Sequence, residues 1–145
     1  MKIRNDFVTN SSSSSFIIAY RPIPEFDAET LAKYPMLKNY NSIIEHILYS
    51  EGDSETSPGV FFYTKDQWED YFKNDYLYYD EEEDRDFQTF LEDSGCDELY
   101  YKGIKYLENG YKVLHKMVGY GDCLLNDMLY DLADDKENFV ILEGE

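Results

Sequence analysis

The sequence predicts an α+β domain, a largely antiparallel sheet of about five strands with helices packed on it. Three observations lead there. Short β-rich runs at 16–20, 60–63 and 139–142 are separated by segments whose apolar residues recur at helical spacing. The dipeptide Asn109-Gly110, set between two β-rich arms, is the favoured type I′ turn and predicts a hairpin over 101–118. The chain has 145 residues, 17% of them aromatic, which suits one core and is more than a disordered acidic chain carries.

The elements follow in order. The five serines at 11–15 offer nothing to a core, so 1–15 is expected to be a flexible segment and 16–145 the domain. Residues 16–20 read as a buried strand, stopped by Pro22 and Pro24. Asp27 is placed to cap a short helix, with Phe26 and Leu31 as a hydrophobic staple and Pro35 closing it. Ser42 and Glu45 predict a capping box for a second helix, with Ile43, Ile44, Ile47 and Leu48 on one face. A second strand at 60–63 leads into another capping box, Thr64 with Gln67, and a staple of Tyr63 on Trp68. Trp68, Tyr71, Phe72 and Tyr76 stripe that helix. Phe87, Phe90 and Leu91 mark a short helix ended by Gly95.

The predicted hairpin comes next, with Tyr106 opposite Val113 and Ile104 opposite His115. Asp122 then caps a helix expected to turn Leu124, Leu125, Met128, Leu129 and Leu132 inward. The run at 139–142 closes the sheet.

The first eighteen residues, MKIRNDFVTNSSSSSFII, carry Phe7-Val8-Thr9-Asn10, five serines and Phe16 in succession. This string resembles a recurring N-terminal segment of small uncharacterised bacterial and phage-associated proteins. The resemblance covers about an eighth of the chain. It implies a bacterial or phage origin and no particular activity. One reading of the serines makes them a handle for modification or docking; the other makes them a ragged terminus.

Charge is the strongest functional pointer. Acids outnumber bases 31 to 13, a net charge of −18, where small soluble domains carry roughly 2 to 8 of either sign. The excess sits in two blocks, −11 over 65–98 and −7 over 122–145, around a segment of +3 at 99–121. Such a surface repels phosphate, which argues against direct nucleic-acid or anionic-membrane binding and for a basic partner protein. The first candidate patch is Asp80, Glu81, Glu82, Glu83 and Asp84 with the adjoining Tyr78 and Tyr79, tyrosine being enriched at interfaces. The second is Asp127, Asp131 and Asp134. In its sharpest form the expectation is a phage or mobile-element inhibitor that imitates nucleic acid before a nucleic-acid-binding protein. The competing reading is a solvated face that only confers solubility.

Chemistry by side chains is less well marked. Cys96 and Cys123 form no CxxC pair and read as two thiols of a reducing, cytoplasmic setting. The stretch 80–86 has an EF-hand's acids but not its glycine, so no metal site or cofactor is expected. No catalytic set stands out. The alternative to an interaction protein is a cellular protein of another kind, or a small enzyme or ligand-binding domain built near Cys123 and His115, where Gly119 to Asp122 makes a turn. No apolar run of about 20 residues predicts a membrane span.

Overall fold

The computed structural model describes residues 13–51, 56–77, 79–80, 84–134 and 137–144. Among them four strands form one sheet: β1 (Ser13–Tyr20), β2 (Val60–Phe62), β3 (Lys112–Gly119) and β4 (Phe139–Glu143). Their order is β2-β3-β1-β4 and every neighbouring pair is antiparallel. β1 runs from Ser13 opposite Gly119 to Tyr20 opposite Lys112 on one flank. On the other it pairs with β4, across a bulge between Ile17 and Ile18. Six helices surround the sheet: α1 (Ala28–Lys33), α2 (Tyr40–Tyr49), α3 (Lys65–Tyr71), α4 (Phe87–Asp93), α5 (Asp97–Glu108) and α6 (Cys123–Leu132).

Both sheet faces are covered, so the strands are apolar on both sides rather than alternating. Phe16, Ile18 and Tyr20 of β1 and Leu114 and Val118 of β3 pack with Ile44 and Leu48 of α2 and Leu129 of α6. The intervening Ile17, Ala19 and Val113 face the other way, towards Trp68, Phe72, Leu91 and Tyr100. One face therefore carries α2 and α6, and the other carries α3, α4 and α5. Trp68 is the keystone of the second layer. It is fully buried, its indole N–H donates to the Tyr100 carbonyl at 2.9 Å, and its rings lie against Gly103 of α5. Only a residue without a Cβ allows that approach, since an added Cβ would stand 2.4 Å from the indole.

Local signals held where they satisfied backbone donors. Asp27 accepts from the Thr30 amide at 2.6 Å, and Thr64 with Gln67 forms the full reciprocal box. Others need correction. The hairpin over 101–118 is not formed: Asp97–Glu108 is the helix α5, and the described strands number four. Asn109-Gly110 ends that helix instead. Gly110 takes φ +85°, its amide reaches the Leu107 carbonyl, and the Tyr111 amide reaches that of Tyr106. α2 begins at Tyr40, so Ser42 lies inside it and makes no cap. Tyr63 turns outward onto Phe61, and Phe62 meets Trp68 with ring centroids 5.5 Å apart. The first strand starts at Ser13 rather than at 16, placing the last three serines of the run in the sheet.

Candidate functional site

The second acidic patch lies on α6. At 100° per residue Leu125, Leu129 and Leu132 share a narrow arc, and these are the residues that pack on the sheet. Leu124 and Met128 fall outside that arc, which corrects their expected inward placement: they are 78% and 42% exposed. They share an outer arc of about 100° with Asp127 and Asp131, both exposed. Asp134 is exposed just past the end of the helix at Leu132. At the N-terminal end of the helix, Ser14, Gly119, Cys123, Asn126 and Asp127 border a small cleft of about 120 Å³. Two apolar side chains thus stand in solvent with carboxylates beside them.

Asp80 and Asp84 of the first patch are exposed. Tyr79 is half-buried: its amide donates to the Lys73 carbonyl at 2.6 Å and its hydroxyl to the Arg85 carbonyl at 2.8 Å. Its ring packs on Phe87 and Phe90, with centroids 5.5 and 5.0 Å away, so it serves the domain interior. Tyr78, Glu81, Glu82 and Glu83 lie outside the described residues. Three acids of the 65–108 region are offset by ion pairs, Lys73 with Glu69, Arg85 with Asp93 and Lys65 with Glu108. The two acidic patches do not share a layer, although Glu143 of the second block reaches Tyr76 of the first. The described residues of 65–98 build the α3–α5 side of the sheet, whereas α6 covers the opposite face.

His115 and Cys123 are also separated. His115 Nε2 lies 2.9 Å from the hydroxyl of the buried Ser15, and its ring is 5.9 Å from that of Tyr71, on the α3 side. Cys123 borders the cleft beside Ser14 and Val118, on the α6 side. Successive strand residues point to opposite faces, so Ser14 and Ser15 mark the two sides of the sheet between the thiol and the imidazole. They do not form a Cys–His pair.

Two polar groupings escaped sequence reasoning. On the α3 side, Tyr76 donates to both carboxylate oxygens of Glu143, at 3.0 and 3.1 Å, and burial followed by that charge pushes the phenol well up. Burial and Glu143 push Tyr71 up as well. On the α6 side, Lys116 is wholly buried in the sheet, and its ammonium donates to the carbonyls of Ser50 and Ser57 at 2.7 and 2.8 Å. Burial lowers its pKa to about 8, against an opposing pull from Asp122. Nearby, the Thr56 hydroxyl donates to Asp122 and accepts from the Gly119 amide. The available signal was a lysine in the middle of an apolar strand, because an unpaired buried ammonium needs acceptors.

Among the described residues no trio of His, Cys, Asp or Glu is arranged to hold a metal ion, and no helix is long and apolar enough to cross a membrane. Compared with protein-family models, with curated proteins and with solved structures, the chain matches none.

Proposed function

We propose that this is a non-catalytic interaction protein that presents an acidic surface to a basic partner, and that the outer arc of α6 is its principal contact. The observation that carries the reading is the exposure of Leu124 and Met128 beside Asp127 and Asp131. Exposed apolar side chains bordered by polar groups are the usual anatomy of a protein interface. Burying one such Leu or Met against a partner is worth about 1.5–3 kcal/mol, whereas each exposed ion pair adds about 0.2–1 kcal/mol. The apolar pair would supply affinity and the carboxylates would select a positive surface.

The placement of the two blocks bears on the narrower version of this reading, a mimic of nucleic acid. One continuous phosphate-like track would need both blocks on one side. Asp127 and Asp131 are a single turn apart, about 6 Å, and Asp134 follows the helix end. This supports a compact protein-binding patch on α6, with Asp80 and Asp84 as a separate charged region on the other side. A phage or mobile-element origin, suggested by the N-terminal string, would fit an inhibitor of a host protein.

The test is capture from a bacterial lysate on immobilised protein, at low and high salt. Wild type is compared with Leu124→Ser/Met128→Ser, Asp127→Asn/Asp131→Asn and Asp80→Asn/Asp84→Asn. A basic protein retained at low salt, released by salt and lost with the first two pairs but kept by the third is the expected result. Equal retention by the two α6 pairs and wild type would remove α6 as the contact.

A further inference from the structure

The geometry points to a second binding surface: a groove along the open edge of β2 that takes an extended, lysine- or arginine-bearing peptide as an added strand. β2 pairs only with β3 among the described strands, so its other flank carries the outward N–H and C=O groups of alternate residues. Further along β3 the corresponding flank is filled. The Ser57 amide donates to the Met117 carbonyl, and the Thr56 and Ser57 hydroxyls accept the Gly119 and Met117 amides. On this side of the sheet the open edge is therefore that of β2.

A depression of about 290 Å³ lies beside this edge. Phe61 and Phe62 form one wall; Asp70 and Tyr71 of α3, with Asn74 and Asp75, form the other. Asn74 and Asp75 belong to a π turn, Phe72–Tyr76, that continues α3. Such widened turns insert an extra residue and recur at functional sites. Among the described residues the carboxylates of Asp70 and Asp75 make no hydrogen bond or ion pair, and both residues are exposed. The neighbouring cations are committed elsewhere: Lys65 to Glu108, Lys73 to Glu69 and Lys112 to Glu45.

The two sides of this edge differ in chemistry. On the α3 side stand the carboxylates. On the α2 side Tyr49, Phe61 and Tyr63 form a stacked series, with centroid separations of 4.4 and 6.2 Å. Tyr49 and Tyr63 are 45% and 53% exposed. A strand added to β2 would send successive side chains to these two sides in turn. The fitting occupant alternates basic residues, facing Asp70 and Asp75, with apolar residues, facing the aromatic series. The opposite sheet edge offers no such match, because the depression beside β4 mixes Glu98 and Glu143 with Lys102. β2 has three residues, so the added strand gains few backbone bonds and binding is expected to be weak and reversible.

This surface is separate from α6, and either can fail alone. The test uses the full chain and three short peptides: alternating Lys/Val, alternating Glu/Val, and the first composition with its lysines and valines in two blocks. Affinity is read by titration calorimetry, and pairing by amide hydrogen exchange. The expected result is preferential binding of alternating Lys/Val, weakened by salt, with exchange slowed at Val60, Phe61 or Phe62. Asp70→Asn and Asp75→Asn should each weaken it by about 1.5- to 5-fold while leaving the melting curve in place. Equal binding of the blocked peptide, unchanged affinity in both variants, or no slowing at β2 would overturn the proposal. So would a dimer whose β2 amides are already protected, since a second copy would then occupy the edge.

Discussion

Lys116 makes the stability of this protein depend on pH in an unusual direction. Its ordinary pKa of 10.5 falls to about 8 in the folded chain. Between these values the unfolded state holds the proton that the folded state has released, so stability rises with pH across that window. The full shift corresponds to roughly 3 kcal/mol, and about 1 kcal/mol of it should be recovered between about pH 7 and pH 9. Lys116→Met keeps the length and removes the charge. It also strands the carbonyls of Ser50 and Ser57, at about 1–3 kcal/mol each, so near pH 7 the two effects oppose and largely cancel. Raising the pH helps the wild type alone, and the variant should fall behind by about 1 kcal/mol at about pH 9.

Urea unfolding of both proteins at several pH values measures this difference, and comparing the two cancels titrations they share. One such background comes from tyrosines: Tyr20 and Tyr100 are pushed up to about 12 from 10.0 by burial, with Glu45 and Glu69 respectively adding to it. They favour the folded state below their ordinary pKa of 10.0, and that contribution is lost as pH rises towards the folded value. Tyr71 and Tyr76, raised as well, act in the same sense, so wild-type stability should peak between about pH 9 and pH 10 and then decline. A difference between wild type and Lys116→Met that stays flat from pH 7 to pH 9 would refute the assignment of the buried charge.

Two further outcomes test the packing. Gly103→Ala should destabilise by about 1–3 kcal/mol and shift Trp68 fluorescence, because the new methyl would meet the indole at 2.4 Å. An unchanged melting temperature would mean that α3 and α5 do not pack this closely. Thr56→Val keeps the shape but removes the hydroxyl shared by Asp122 and the buried Gly119 amide. It should cost about 1–3 kcal/mol and speed hydrogen exchange at Gly119, and unaltered exchange there would discount the contact.

The sequence was readable where local chemistry had one solution. A helix start needs an acceptor for its first amides, and Asp27 and Thr64 declared themselves as such. Asn109-Gly110 had two solutions. A type I′ turn and a helix terminus both call for a residue in the left-handed region, and the choice between them rested on the preceding twelve residues. Leu99, Tyr100, Gly103, Ile104 and Leu107 do carry the helical period, but tyrosines at 100, 101 and 106 also suit a strand. On α6 the leucines outnumber the places available on its inner arc, and periodicity alone does not say which stay outside. The polar pairs Ser15 with His115 and Tyr76 with Glu143 join residues 100 and 67 positions apart, a separation that no local pattern encodes.

β1 is synthesised long before either of its strand partners. It occupies an interior position of the sheet, yet both of its neighbours are drawn from the final third of the chain, β3 from Lys112 and β4 from Phe139. During synthesis Phe16, Ile17, Ile18 and Ala19, all wholly buried in the finished protein, wait without their strand partners for more than ninety residues. At about 5–20 residues per second that wait lasts roughly 5–20 seconds. Until β3 has been made these residues lack the sheet that buries them, so neither face of the core can close before that point.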